Sequence, residues 1–149
     1  MTDTYEQLKL ENLLCFPLYA SARKIVNAYT PYLKPLGITY TQYLVFMVLW
    51  ENKEVSVGEL GRTLLLDEGT LSPLLKKLEN ERYISRRRSE KDERITLVRL
   101  TKEGEDLKEK CREIPFKVAP SASELNPEDA HQLYTLLYKM LGFEKAKNE

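Results

Sequence analysis

The sequence has little of several features that mark common classes of protein. Two cysteines, Cys15 and Cys111, are too few for the disulfide framework of a small secreted domain. The one histidine, His131, has no clustered partners, so a zinc site is not expected. No apolar run has the length of a membrane span, and the N-terminus does not resemble a secretory leader. These absences predict a cytoplasmic protein without a membrane segment, metal or cofactor.

The chain also lacks net charge, which by itself argues against nucleic-acid binding. The charges are unevenly distributed, however. From Lys76 to Arg99 there are nine basic and five acidic residues, so this span has a net charge of plus four. Phosphate contacts depend on the local potential, and a neutral total therefore does not exclude DNA binding. With 149 residues, 42% hydrophobic and 31% charged, the chain is expected to form one globular domain over residues 1–149.

The stretch from Ser56 to Thr101 predicts a helix, a turn, a second helix and a two-stranded hairpin with a charged tip. Ser56 and Glu59 have the spacing of a capping box, which starts the first helix. Asp67 can cap the second helix by accepting from free backbone N–H groups near Thr70. The expected buried residues of the two helices are Leu60, Leu64, Leu65, Leu71, Leu74, Leu75 and Leu78. The expected strands begin at Tyr83 and contain Ile84, Ile95, Leu97, Val98 and Leu100, with a short third strand at Val55–Val57.

The second helix of this stretch has one apolar face and an opposite face that carries hydroxyl and ammonium groups. A helix that binds in a DNA major groove needs such a polar face to contact bases and phosphates. The side chains on its polar face are Thr70, Ser72, Lys76 and Lys77. The hairpin tip, RRRSEKDER, offers phosphate contacts from Arg86 and Arg88, and an arginine there can enter a narrow minor groove. A small helical subdomain with a solvated hairpin is the alternative interpretation.

The runs LDEGTLSPLLKKLE, RRRSEKDER and ITLVRLTKEG resemble the winged helix-turn-helix of MarR-type repressors over roughly residues 40–110. The resemblance implies that Thr70, Ser72 and Lys76 face DNA, that Arg94 is the minor-groove residue of the wing, and that Asp92 orients the wing arginines. One departure is Glu68, where a small hydroxyl residue is expected. A carboxylate there repels phosphate, although it can accept a hydrogen bond from a cytosine amino group.

Both ends of the chain are predicted to be helical and to carry more apolar surface than one small domain can bury. The first apolar segment covers residues 5–29, and the last helix starts at Asn126–Pro127 and ends at Gly142. Such surfaces predict a homodimer, with two recognition helices about one DNA turn apart on a palindromic operator. The expected fold is therefore mainly α (α+β), with a winged helix-turn-helix core at about 40–101 and dimerisation helices at about 5–32 and 102–142.

Pro17 interrupts the first apolar segment, so the helix either kinks there or begins there. Both alternatives place Cys15 at a helix end, where the reactive thiolate is favoured. The alternative is that Cys15 is a small buried hydrophobic residue. Cys111 has three charged neighbours in the sequence, Lys108, Lys110 and Arg112. Its side chain is therefore expected to be partly exposed.

The segments LLCFPLYASAR, NAYTPYL and LGITYTQYLVFMVLW resemble the organic-hydroperoxide-sensing OhrR branch of the MarR family. The resemblance implies that Cys15 is the reactive cysteine, that Tyr29 and Tyr40 of the partner subunit hydrogen-bond to it, and that Tyr19 helps to line the pocket. It also implies that peroxide oxidation of Cys15 leads to release of DNA. Some members have a resolving cysteine, which would fall near 118–121, where this chain has none. A sensor that reacts with a small external thiol is therefore expected.

Three other functions fit parts of the same pattern. A MarR-type repressor could respond to a small aromatic ligand in a tyrosine-rich pocket, with Cys15 incidental. A thiol peroxidase could use Cys15 as its nucleophile, but the sequence offers no convincing resolving cysteine, so an enzyme is not expected. A redox-inert architectural DNA-binding protein would need only the winged region.

Overall fold

The structure is a computed structural model that describes residues 4–143, so the ends of the predicted domain 1–149 lie outside the described residues. The helices and strands follow one another as α1 Cys15–Leu33, α2 Tyr40–Asn52, β1 Glu54–Ser56, α3 Val57–Leu64, α4 Glu68–Asn80, β2 Ile84–Arg88, β3 Thr96–Leu100, α5 Lys102–Cys111, α6 Ile114–Val118 and α7 Pro127–Met140. None of the helices within 4–143 combines the length and hydropathy that crossing a bilayer requires.

The helices α3 and α4 begin where their capping residues predict. In the capping box of α3, the Glu59 backbone N–H donates to Ser56 Oγ at 3.1 Å, and the Ser56 N–H donates to Glu59 Oε2 at 3.4 Å. At the start of α4, the Thr70 N–H donates to Asp67 Oδ1 at 2.7 Å. This hydrogen bond lowers the pKa of Asp67, so the cap remains ionised. The predicted helix-turn-helix is therefore confirmed in its local detail.

The three strands form an antiparallel sheet in the order β1-β3-β2. Val98 of β3 pairs with Val55 on one side and with Arg86 on the other. The third strand begins one residue before the predicted Val55–Val57. The Ser89 N–H donates to the Ile95 carbonyl at 2.8 Å and closes the wing between β2 and β3. The fold class predicted from the sequence, a mainly helical winged helix-turn-helix, is confirmed.

The core lies between α2, the two helices of the helix-turn-helix and the sheet. The largest fully buried side chains are Phe46, Leu33, Leu49, Leu60, Leu71, Leu75, Leu78, Ile84, Val45 and Val98. The indole N–H of Trp50 donates to the Gly104 carbonyl at 2.9 Å and ties α2 to α5. A Cβ on Gly104 would lie 2.3 Å from the Tyr83 carbonyl oxygen, so only glycine permits α5 to approach the wing this closely.

Two predictions about burial are wrong. Leu65 was expected in the buried stripe of α3, but 52% of it is exposed. It ends the helix with a left-handed backbone, φ 54°, which turns its side chain off the stripe. Cys111 was expected to be partly exposed, but only 3% is accessible. Its charged sequence neighbours point to other sides of the helix, whereas Leu107, one turn earlier, is buried with it.

The first helix begins at Cys15, so neither predicted role of Pro17 is correct. Pro17 is the third residue of α1, where a backbone N–H has no partner within the helix, so the missing N–H costs no hydrogen bond. Its ring meets no helical carbonyl, because Leu13 is extended, with φ −107° and ψ 114°. The preceding residues form two 3-10 turns, Glu6–Leu8 and Leu10–Asn12.

The two ends of the chain leave large apolar side chains uncovered. No residue of α7 is buried, although its 14 residues include several leucines and aromatics. An isolated helix of this length is marginal in water, so α7 needs a further surface to pack against. The more exposed of these side chains in the terminal segments are Tyr5 65%, Leu8 70%, Leu10 55%, Leu14 75%, Phe116 73%, Leu136 61%, Met140 55% and Leu141 51%.

Candidate sensing site and DNA-binding face

Cys15 is exposed at the first residue of α1. Tyr19, which was predicted to line the pocket around Cys15, lies one turn further along the same face of α1 and is 63% exposed. The Arg23 guanidinium lies 5.2 Å from the centroid of the Tyr19 ring, a cation–π contact. Cys15, Tyr19 and Arg23 therefore form a row at four-residue spacing on the open side of the helix.

The other two predicted sensing residues lie together where α1 meets α2. The ring centroids of Tyr29 and Tyr40 are 4.9 Å apart, and Tyr43 lies 5.6 Å from Tyr29. Burial raises the pKa of Tyr29, and burial together with the charge of Tyr29 raises the pKa of Tyr40. The pKa of Tyr43 rises to about 12, chiefly through burial. All three hydroxyls are therefore protonated at neutral pH and can donate hydrogen bonds.

A single subunit does not bring Cys15 to the tyrosine pair. Cys15 and Tyr29 lie fourteen residues apart on one helix. At 1.5 Å per residue this places them about 21 Å apart along the axis, too far for any hydrogen bond. Tyr40 contacts Tyr29, so it is equally remote. If both tyrosines meet the thiol, they must belong to a second subunit.

Cys111 is in the opposite situation from Cys15. Burial raises the pKa of its thiol from the ordinary 9.0 to about 11, so the reactive thiolate is scarce at neutral pH. It lies close enough to Tyr43 to raise the pKa of that phenol as well. Within residues 4–143, no group of three or more His, Cys, Asp or Glu side chains is placed to hold a metal ion.

The helix α4 presents its predicted DNA-facing residues to solvent. The exposed side chains are Thr70, Ser72, Lys76 and Lys77, whereas Leu71, Leu75 and Leu78 are buried on the opposite face. A groove of about 660 Å³ separates α4 from the wing, and Glu68, Ser72 and Arg94 are among its lining residues. This groove joins the start of α4 to the wing tip in one continuous surface.

The wing tip holds one arginine outward. The Asp92 carboxylate accepts from the backbone N–H of Arg94 at 3.0 Å and from its Nε and Nη2 at 3.1 Å each. The Arg94 side chain is 90% exposed, and its hydrogen bonds hold the pKa of Asp92 below the usual range. Arg88 donates to the Glu93 carbonyl at 2.9 Å and braces the same turn. This geometry presents a guanidinium at the wing tip with restricted freedom.

Arg86 does not project from the wing as its place in the sequence predicted. Its guanidinium forms two hydrogen bonds with the Glu79 carboxylate near the end of α4. The neighbouring Arg87 pairs with Glu54 of β1 at 3.1 Å. Sequence reasoning missed Glu79 because no regular spacing connects the end of a helix with the middle of the following strand.

Comparison with known proteins places these features in a family. A family profile described as transcriptional regulator SarA/Rot matches residues 27–111. The chain is also 45% identical over 148 residues to the organic hydroperoxide resistance transcriptional regulator of Bacillus subtilis (strain 168), covering 99% of this chain and 100% of that protein. This chain belongs to the MarR/SarA family of winged-helix transcriptional regulators.

Solved structures of this family are similar over nearly the whole chain. AbfR, a Staphylococcus epidermidis protein, was solved in reduced form bound to DNA, and it is 34% identical with a TM-score of 0.75, covering 94% of this chain and 97% of that one. The TM-score falls to 0.60 for the disulfide-formed AbfR, over 92% of this chain and 96% of that one. A mutant form of MarR from E. coli, complexed with operator DNA, is similar in fold, with a TM-score of 0.82 at 23% identity, covering 94% of this chain and 99% of that one.

Proposed function

We propose that this MarR/SarA-family regulator binds a palindromic DNA operator as a homodimer and releases it when an organic hydroperoxide oxidises Cys15. The observation that carries the proposal is the placement of Cys15. It lies exposed at a helix start, beside uncovered apolar residues, and far along the helix from the phenols that could hold its sulfur. The regulator acts on chromosomal DNA, so we place it in the cytoplasm.

On DNA, α4 enters the major groove and the wing contacts the adjacent minor groove. Thr70 and Ser72 lie near the N-terminal end of α4, where hydroxyls reach base edges, and Lys76 and Lys77 lie further along, where ammonium groups reach phosphates. Arg94 suits a narrow minor groove because Asp92 holds its guanidinium in one orientation. Arg88 reinforces the wing tip and adds positive charge to it.

In the dimer, the start of α1 meets the tyrosine pair of the partner subunit. Tyr29 and Tyr40 are protonated donors, and an anionic sulfur is a good acceptor for both. Tyr19, one turn from Cys15 and exposed, closes the side of the pocket. This arrangement explains why the thiol and the phenols lie at separate places in one chain, and it makes the sensor a property of the dimer.

The chemistry requires one thiolate and one external thiol. The Cys15 sulfur attacks the outer oxygen of ROOH, the O–O bond breaks, and RO⁻ leaves and takes a proton to become the alcohol. The sulfenic acid then condenses with a small thiol, which forms a mixed disulfide and expels water. Cys111 does not serve as the second thiol, because it is buried and its pKa is about 11.

Oxidation is coupled to DNA through the helices that bear the pocket. The sulfenic acid and the bulkier mixed disulfide no longer offer the anionic acceptor that holds the two phenols. Tyr29 and Tyr40 lie on α1 and α2, and α2 packs in the core with Leu60 of α3. A shift of these helices therefore changes the spacing of the two recognition helices on the operator.

The direct test is fluorescence anisotropy with DNA from upstream of the protein's own gene, with a small thiol present. An organic hydroperoxide should weaken binding by wild type by at least about tenfold, within the usual range of coupling between sites. Cys15→Ser should bind and not respond, and Cys111→Ala should respond like wild type. A hydroperoxide response retained by Cys15→Ser would contradict the proposal. Release by a phenolic compound in both proteins would favour the aromatic-ligand alternative.

A further inference from the structure

An ion pair joins the recognition helix to the wing. Arg86 Nε donates to Glu79 Oε2 at 3.3 Å, and Arg86 Nη2 donates to Glu79 Oε1 at 3.1 Å. We propose that Glu79 and Arg86 are positioning residues that set the angle of the wing relative to α4, and that Arg86 supports DNA binding through this geometry rather than by contacting phosphate. The proposal rests on the DNA-binding function proposed above.

The position of the pair makes it suitable for this role. Glu79 lies in the last turn of α4, and Arg86 is the central residue of β2, opposite Val98. The chain between them makes a tight turn in which Arg82 adopts a left-handed backbone, φ 65°. Thr70 lies nine residues before Glu79, about 14 Å along the axis of α4, and Arg86 lines the groove between α4 and the wing together with Arg94. A small rotation at the junction therefore displaces Thr70 relative to Arg94.

The geometry of the pair also favours a fixed angle. A guanidinium that meets a carboxylate with two parallel hydrogen bonds fixes orientation as well as distance. The side chains are partly buried, with 27% of Arg86 and 39% of Glu79 exposed. Hydrogen bonding to Arg86 lowers the pKa of Glu79, so the pair stays ionised at neutral pH.

The other ion pairs of the wing connect different parts of the structure. The pair of Arg94 with Asp92 spans two residues within the tip, and the pair of Arg87 with Glu54 spans strands of the sheet. Among the ion pairs of residues 4–143, that of Glu79 with Arg86 is the one that joins α4 to the wing. Its guanidinium commits Nε and Nη2 to the Glu79 carboxylate, so that carboxylate fixes its orientation.

The direction in which Glu79→Gln changes operator affinity distinguishes a positioning role from an effect of charge alone. Glu79 is an anion on a DNA-binding element, so its neutralisation would strengthen binding if only long-range charge mattered. If the pair holds the wing, Glu79→Gln must instead weaken binding, because the wing loses its fixed angle. Arg86→Lys is a second test, since lysine keeps the positive charge but cannot form the bidentate hydrogen bonds with the Glu79 carboxylate.

The experiment measures operator affinity of reduced protein at several salt concentrations for wild type, Glu79→Gln, Arg86→Gln, Arg86→Lys and the Glu79→Gln/Arg86→Gln double variant. We expect each single variant to lose about tenfold in affinity and the double variant to lose no more than one single, as for residues that act as a unit. The salt slope of Arg86→Gln should equal that of wild type, because no phosphate contact is lost.

The matched control is Glu81→Gln, an exposed carboxylate at the same end of α4. It should bind DNA as tightly as wild type or slightly more tightly. Tighter binding by Glu79→Gln, full affinity in Arg86→Lys, or a salt slope reduced by about one per subunit in Arg86→Gln would overturn the proposal. Circular dichroism melting should show each variant folded at the assay temperature. Failure of wild type itself to bind the operator would overturn the proposed function and this inference with it.

Discussion

Cys15 and Cys111 lie in regions that differ in how completely one subunit buries its own apolar residues. Cys111 ends α5 within the core, in the same buried cluster as Leu107 and Ile114. Cys15 begins α1 in a segment where Leu14 is 75% exposed. One thiol is shielded by its own chain, whereas the other is left exposed by it.

This difference explains how one small chain can be both stable and responsive. The winged region has filled caps, a packed core and a wing fixed by ion pairs, so its shape does not depend on Cys15. The terminal helices leave apolar side chains uncovered within one subunit. Their packing can therefore change when Cys15 is oxidised. Three predictions test this contrast between the regions, in order of decreasing effect.

The largest effect is expected from a charge in the uncovered face of α7. Leu136→Asp places a carboxylate at a side chain that is 61% exposed in one subunit and that we expect to be covered in the dimer. Burying that charge is costly, so the protein should become monomeric. Operator affinity should then fall at least a hundredfold, because two linked half-sites become one.

Analytical ultracentrifugation and anisotropy measure the two consequences of Leu136→Asp. The control is His131→Asp, which adds a carboxylate to an exposed polar residue on the other side of the same helix. The contrast between the regions would be wrong if Leu136→Asp stayed dimeric.

A smaller but still large effect is expected at the close approach of α5 to the wing. Gly104→Ala places a Cβ 2.3 Å from the backbone oxygen of Tyr83, which cannot move aside cheaply. Stability should fall by about 2–3 kcal/mol, as for an overpacked core. Gly69→Ala is the control, because its Cβ meets Asp67 Oδ1 at an ordinary 3.5 Å. Urea unfolding measures both, and equal stability of the two variants would contradict the described packing.

The smallest effect is the pH dependence of stability that Cys111 contributes. The thiol has a pKa of about 11 when folded and about 9.0 ordinarily, so the unfolded chain loses this proton first. The stability is therefore complete below about pH 9 and falls as pH rises toward 11, and the loss reaches about 2 kcal/mol at about pH 10.5, at 1.36 kcal/mol per pKa unit. Urea unfolding from pH 8 to 10.5 should show a steeper fall for wild type than for Cys111→Ala.

Thiol labelling provides an independent check of the same burial. In native protein at neutral pH, a thiol reagent should modify Cys15 quickly and Cys111 only after unfolding. Rapid modification of two thiols per native chain would show that α5 is not closed around Cys111.

The parts of the fold that depend on local chemistry were predictable from the sequence. Ser56 and Asp67 satisfy backbone groups within three residues, so their helices start where the pattern indicates. The burial of Cys111 was not predictable from its neighbours, because adjacent residues on a helix point in different directions. The left-handed backbone of Leu65 also escaped prediction, since leucine rarely adopts it.

The candidate site was predictable only in part. Exposed hydroxyls and lysines on α4 follow from helical spacing, and the structure displays them as expected. The pairing of Arg86 with Glu79 depends on how a helix packs against a strand, which no spacing encodes. The assignment of Tyr29 and Tyr40 to Cys15 came from resemblance, and the length of α1 adds the physical requirement that they act across two subunits.

The most direct test of the central claim, that the sensor is completed across the dimer, uses mixed dimers. One subunit carries Cys15→Ser, and the other carries Tyr29→Phe with Tyr40→Phe. In the mixed dimer, the intact Cys15 faces the intact tyrosines of its partner, so we predict wild-type rates of sulfenic acid formation at that cysteine. The homodimer of the tyrosine variant should react more slowly. If Cys15 reacts equally slowly in both dimers, the tyrosines act within their own chain and the account is contradicted.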